Sequence, residues 1–144
     1  MEFVGTYYHA LDDKGRVAVP KKFRLGLEVG SVVTKGLDGC LFIFPAEYWR
    51  DVSTKLKTLP LGQKNARDFL RLMTYSAALI DFDSLGRTRF PEVLAATANI
   101  KKDVVFVGTL TRIEVWDKKT YHDYFDNLVK NENKIVTSLG ELGI

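Results

Sequence analysis

Two short stretches of this chain carry the same charged residues at the same spacing. Residues 11–23 read L-D-D-K-G-R-V-A-V-P-K-K-F and residues 82–94 read F-D-S-L-G-R-T-R-F-P-E-V-L. An offset of 71 positions places Asp12 on Asp83, Gly15 on Gly86, Arg16 on Arg87 and Pro20 on Pro91. The chemistry open to such a stretch is that of an oriented guanidinium. Glycine allows a tight turn, and the carboxylate four residues before the arginine can steer it. An exposed arginine held in that way suits a phosphate or the edge of a guanine. The other reading is an Asp–Arg latch that closes a hairpin and binds nothing. A lone D-x-x-x-R has little meaning, because a chain this rich in both residues holds about one by chance. This chain has two, both at the same place in a repeat.

Other chemistries find less support. The carboxylate pairs Asp12/Asp13 and Asp81/Asp83 each lie beside an arginine that keeps them ionised, which does not suit a general acid. His9 and His122 occupy unrelated positions in the two copies. His9 lies near the first loop as a candidate minor contact, and His122 reads as a helix-surface residue. No Cys/His cluster has zinc spacing and no Gly-rich phosphate loop follows a strand. Cys40 opens the apolar run Cys-Leu-Phe-Ile-Phe and reads as a small buried side chain. The sequence thus nominates no catalytic residue, cofactor or metal, and no small-molecule substrate is expected.

The elements that position the two stretches are themselves repeated. With one inserted residue the offset becomes 72, which aligns Val32-Val33 with Val104-Val105, Gly36 with Gly108, and Leu41, Ile43 and Phe44 with Ile113, Val115 and Trp116. Each copy reads as strand, turn, strand, Pro-led short helix, two strands and a longer helix. In the first copy these are a strand at Gly5–Tyr8, the turn at 12–15, a returning strand Arg16–Val19 and a helix from Lys21 to Leu25. Strands Ser31–Thr34 and Cys40–Phe44 follow, then a helix from Pro45 to about Lys57. In the second copy, strands are expected near 104–107 and 112–116, with a closing helix capped by Asp117. Val17 and Val19 share one strand face, Arg16 and Ala18 the other. Trp49, Val52 and Leu56, like Tyr121, Tyr124 and Leu128, recur at helical spacing. The expected division is a first repeat over 1–58, a connecting segment over 59–75 with a helix from about Lys64 to Tyr75, a second repeat over 76–130, and a polar tail over 131–144 that frays or forms a terminal helix. Units of this size bury little core alone, so the copies should pack on each other.

Composition is ordinary for a globular protein, 46% hydrophobic and 27% charged. No apolar run approaches the roughly 20 residues of a membrane span. The N-terminus lacks an export signal, and a single cysteine suits a reducing compartment. The net charge of +3 is unevenly spread, +4 over the first 72 residues and −1 over the last 72. Lys14, Arg16, Lys21, Lys22 and Arg24 cluster without an acid among them, either as a phosphate-attracting patch or as a solvated surface. The second loop carries Leu85 and Glu92 at the corresponding places. If one loop reads DNA more than the other, it is the first.

The run Gly5…Leu11-Asp12-Asp13-Lys14-Gly15-Arg16…Pro20…Phe23-Arg24, the second Asp83…Gly86-Arg87…Pro91, and the endings Gly36…Cys40-Leu41 and Val107-Gly108…Arg112-Ile113-Glu114-Val115-Trp116 together resemble the MraZ family over about residues 1–130. Phe90 and Glu92 depart from the family's usual choices, and the tail matches least. The resemblance implies an α+β, mainly β fold: a pseudo-two-fold, AbrB- and MazE-like swapped-hairpin (double-split) β-barrel built from two tandem repeats with flanking helices. It implies a sequence-specific transcription regulator, cytoplasmic and associated with the nucleoid. Such a regulator assembles into a ring-shaped homo-oligomer and binds repeated short boxes in double-stranded DNA upstream of the division and cell-wall gene cluster, including its own gene. It places the DNA contact on Asp12, Gly15, Arg16, Asp83, Gly86 and Arg87, with Lys14 at the family's basic position. Lys21, Lys22 and Arg24 join them from the charge cluster. A protein-binding, antitoxin-like module on the same fold is the competing reading. Its difficulty is a tail of about 14 residues with few aromatic anchors.

Overall fold

Three prolines stop strands and start helices. Pro20, Pro45 and Pro91 have φ of −49°, −61° and −51°, and each sits immediately before a helix, where its missing N–H costs nothing. Around them the computed structural model, which describes residues 1–142, arranges an α+β fold dominated by antiparallel sheet. The first copy contains β1 (Phe3–Ala10), β2 (Arg16–Ala18), α1 (Lys21–Arg24), β3 (Val32–Lys35), β4 (Leu41–Phe44) and α2 (Ala46–Leu56). A linking helix α3 (Lys64–Thr74) follows. The second copy contains β5 (Ala78–Leu79), β6 (Arg87–Arg89), α4 (Glu92–Thr97), β7 (Asp103–Leu110), β8 (Ile113–Asp117) and α5 (Lys118–Lys130). The tail forms a helix, α6 (Glu132–Ser138), and a 3-10 turn at Gly140–Leu142. Asp117 caps α5, its carboxylate accepting from the Thr120 N–H at 3.3 Å.

The strands of the two copies interleave. One sheet has the order β1-β7-β8-β4-β3-β5, and a second, two-stranded ribbon pairs β2 with β6. Exchanging every strand for its counterpart in the other copy returns the same order reversed. The pseudo-two-fold therefore passes through both sheets. It crosses the ribbon at the pair Val17–Thr88 and the large sheet at the pair Phe42–Glu114, each formed by corresponding residues.

The returning strand departs from the local hairpin read in the sequence. β2 does not form a ladder with β1; it pairs with β6, Arg16 opposite Arg89 and Ala18 opposite Arg87. A three-residue strand has too few ladder bonds to choose its partner locally, and the buried faces of both copies decide it. The first strand is also longer than expected, Phe3 to Ala10, whereas its counterpart β5 holds only two residues.

Alternation along the strands sends side chains into two cores. Val33, Leu41, Ile43, Val104, Phe106, Ile113 and Val115 face inward onto Val17, Val19, Phe23 and Leu94 from the ribbon and the short helices. Phe42, Phe44, Val105, Val107 and Trp116 face outward beneath Trp49 and Val52 of α2 and Tyr121, Tyr124 and Phe125 of α5. Cys40 lies buried in this second core, where desolvation pushes its thiol well above its ordinary range. No helix among the described residues is long and apolar enough to cross a membrane.

Candidate nucleic-acid interface

The two D-x-x-x-R stretches fold into nearly identical loops. In the first, the Asp12 Oδ1 accepts the backbone N–H groups of Lys14 and Arg16, both at 2.9 Å, and Oδ2 accepts Arg16 Nε at 2.7 Å. In the second, Asp83 Oδ1 accepts from Leu85 and Arg87, both at 2.9 Å, and Oδ2 accepts Arg87 Nε at 2.8 Å. The backbone closes each turn in the same way, Gly15 N–H to the Asp12 carbonyl and Gly86 N–H to the Asp83 carbonyl, both at 3.0 Å. Gly15 at φ 76° and Gly86 at φ 75° occupy the left-handed region that favours glycine. Sequence spacing thus becomes geometry: one short carboxylate satisfies two backbone donors and aims one guanidinium.

Each arginine donates its side-chain hydrogen bond through Nε. Among the described residues, the terminal nitrogens of Arg16 and Arg87 have no hydrogen-bond partner. That leaves open the forked edge that engages phosphate oxygens or the O6 and N7 of guanine in pairs. The hydrogen bonds, first among them the backbone N–H of Arg16, hold the Asp12 carboxyl down at about 2. The Arg87 N–H does the same for Asp83, which also lies below its ordinary value. Both carboxylates are ionised at neutral pH and serve as anchors, not as proton donors.

Interleaving brings the loops together. Arg87 Nη1 lies 3.8 Å from Asp12 Oδ2, an ion pair between the copies. A groove of about 450 Å³ between the loops is lined by the cations Lys14, Arg16, Arg87 and Arg89 and by the carboxylates Asp81 and Asp83. Arg89, which the repeated spacing does not nominate, lines the same groove. It is exposed, sits opposite Arg16 in the ribbon and lies over Gly15. The alternation Arg87-Thr88-Arg89 was the available signal, since residues two apart share a strand face.

The remaining nominated residues divide. Lys14 is exposed at the first tip, and Lys21 and Lys22 are exposed on α1. Arg24 is half-buried; it donates from Nη1 to the Val19 carbonyl at 2.8 Å and packs its guanidinium against Gly86. It therefore ties the first copy to the second loop. The second tip carries exposed Leu85 in place of Lys14. His9 is partly covered beside Phe106, and its pKa is lowered by desolvation and by Arg24. His122 is exposed on α5, stacked on Tyr8 at 5.9 Å.

Fold and loops together define a tandem-repeat α+β protein that presents paired, oriented guanidinium groups. The family model described as "MraZ protein, putative antitoxin-like" matches residues 3–72 and again 73–138. A protein of Clostridium beijerinckii named Transcriptional regulator MraZ is 43% identical over 142 residues, covering 99% of both chains. Its namesake in Clostridium tetani is 44% identical over 142 residues, with 99% of both chains covered. The one in Thermoanaerobacter pseudethanolicus is 43% identical over 141 residues, covering 98% of this chain and 99% of its own. The chain belongs to the MraZ family, a family of transcription regulators and not of enzymes.

Proposed function

We propose that this transcription regulator binds double-stranded DNA sequence-specifically through the β2–β6 ribbon and its two loops. The observation that carries the reading is the pair of guanidinium groups anchored through Nε with no hydrogen bond from their terminal nitrogens among the described residues, brought side by side by the exchange of strands. Arg16, with Lys14 beside it, is the main base contact, and Arg87 contributes less because Leu85 replaces the lysine. Asp12, Asp83, Gly15 and Gly86 set the loop geometry. Lys21 and Lys22 take phosphates, and Arg24 acts by holding the second loop. The targets are repeated short boxes upstream of the division and cell-wall gene cluster, including the protein's own gene, and the setting is the cytoplasm at the nucleoid.

The crossed pairing of β1 with β7 and β3 with β5 supports reading the fold as a swapped-hairpin barrel, with repeats at 1–58 and 76–130, a connector at 59–75 and a tail at 131–144. The protein works as a ring-shaped homo-oligomer, because two small loops per protomer give a short footprint, and linked protomers raise avidity on regularly spaced boxes. An antitoxin-like, protein-binding role is the second reading. It is favoured by exposed Ile135, Val136 and Leu139 on the terminal helical segment.

The deciding experiment is fluorescence anisotropy of the full chain on duplex from upstream of its own gene. Arg16→Ala should weaken specific binding by about 1–3 kcal/mol per protomer and leave scrambled duplex less affected. Wild-type affinity in a folded Arg16→Ala protein would exclude the reading.

A further inference from the structure

The two flanks of the arginine ribbon are built from corresponding residues with opposite electrostatics. Leu11 leads from β1 into the first loop and donates its N–H to the Lys102 carbonyl at 2.8 Å, so Lys101 and Lys102 border that loop. Lys118 opens α5 next to them, its ammonium 5.8 Å from the centre of the Tyr8 ring. All three lysines are exposed, and none is ion-paired among the described residues. Of the three carboxylates in the same groove, Asp117 caps α5 and Asp123 pairs with Lys119 at 3.0 Å, while Asp103 is exposed beside the lysines. At the second loop, Ile80 donates its N–H to the Ser31 carbonyl at 2.9 Å, which places residues 28–30 along that flank. Here the positions of Lys101, Lys102, Lys118 and Lys119 are held by Val29, Gly30, Ala46 and Glu47, with Glu28 alongside. Glu28 and Glu47 line one groove.

A polyanion cannot straddle this surface evenly. Phosphates recur about every 3.4 Å along each DNA strand, and each one neutralised by a lysine releases counterions. We propose that a duplex held at the paired loops leaves over the first-loop flank, with Lys101, Lys102 and Lys118 taking its phosphates, and is kept off the flank of Glu28 and Glu47. The proposal rests on the DNA-binding reading above and adds the path of that same duplex. It gives the pseudo-symmetric ribbon a direction, because the flank beyond the first loop carries lysines where the other carries Glu28 and Glu47. Phosphate contacts position without reading sequence, so these lysines add affinity for any duplex.

The test is anisotropy titration of the full chain on upstream duplex and on scrambled duplex of the same length, across a salt series. Replacing Lys101, Lys102 and Lys118 by Gln should weaken binding to both duplexes. The slope of log affinity against log salt should become shallower by about 0.9 for each lysine, with the ratio between duplexes unchanged. Replacing the same three lysines by Arg should restore the slope. Gln at the exposed Lys55, Lys57 and Lys130, away from the loops, should leave it near wild type. A wild-type slope in the Lys101/Lys102/Lys118 variant, or an equal loss in the Lys55/Lys57/Lys130 variant, would overturn the path. If Arg16→Ala still abolishes the preference for upstream duplex in that case, the DNA-binding reading stands and only the path fails. If Arg16→Ala has no effect either, both fail.

Discussion

Among the described residues Asp12 pairs with two arginines and Asp83 with one. The Asp12 carboxylate lies 2.7 Å from Arg16 Nε and 3.8 Å from Arg87 Nη1, whereas Asp83 pairs with Arg87 alone, at 2.8 Å. The first loop is therefore a support for the second as well as the anchor of its own arginine.

From this follows an order of effects on DNA affinity. Asp12→Ala frees Arg16 and removes the ion pair to Arg87, which Asp83 still holds, whereas Asp83→Ala loosens Arg87 alone. On upstream duplex, Asp12→Ala should lose more affinity than Asp83→Ala, and Arg16→Ala more than Arg87→Ala. The Arg16→Ala loss corresponds to about 5- to 150-fold. Titrations of the four variants, each verified as folded by circular dichroism, check the ranking; the reverse order within either pair would refute it.

Acid should loosen the first loop in a defined window. The folded pKa of Asp12 is depressed to about 2, first by the Arg16 backbone N–H. A depressed carboxylate stabilises the fold fully above its unfolded pKa near 4 and loses that contribution as pH falls through the folded value. Thermal melts between pH 5 and pH 2 should show wild type losing stability more steeply than Asp12→Asn. Parallel curves for the two proteins would contradict the assignment.

The glycines of the two loops should differ in their tolerance of alanine. Both need positive φ, but a Cβ at Gly15 would meet Arg89 Nε at an ordinary 3.6 Å, whereas one at Gly86 would collide with the Arg24 guanidinium. Gly15→Ala should cost about 1 kcal/mol of conformational strain and Gly86→Ala more. Adding Arg24→Ala to Gly86→Ala should recover part of the difference, as expected of residues in contact. Urea denaturation of the single and double variants measures the coupling. Strictly additive losses would rule out the contact.

Interleaved copies should unfold as one. Phe23 and Leu94 occupy corresponding positions in the repeats and share one core. Leu94→Ala should cost about 2–5 kcal/mol and Phe23→Ala about 3–5 kcal/mol, each shifting a single transition. Fluorescence and far-ultraviolet dichroism should then trace the same curve. Two separated transitions would mean that the copies fold independently.

Much of this architecture could be read from residue order. The tandem repeat, the Asp–Gly–Arg turns, the Pro-led helices, the linking helix and the Asp117 cap all follow from signals a few residues long. What escaped was non-local. No local pattern tells Arg16–Ala18 to ladder with Arg87–Arg89, because period-2 alternation fixes a strand's faces but not its partner. Arg24 illustrates the same limit within the site. By spacing it belongs to a basic cluster, yet its contacts with the Val19 carbonyl and Gly86 exist only once the copies are packed together. Arg89 was legible in principle and was missed because the motif ended at Arg87.

The pair Phe42–Glu114 at the pseudo-axis has a consequence of its own. In a dimer of two identical chains, a residue on the two-fold must face itself, and a glutamate there would set two like charges directly opposite. A single chain that supplies both halves escapes that constraint. It places an aromatic ring on one side and a carboxylate on the other, and the carboxylate accepts the Trp116 indole at 3.0 Å and Arg112 Nη2 at 3.3 Å, while the Arg112 guanidinium lies 4.5 Å from the centre of the Phe42 ring. Joining the halves end to end thus lets this molecule treat its own midline as a place for unlike partners, a freedom closed to any assembly of equals.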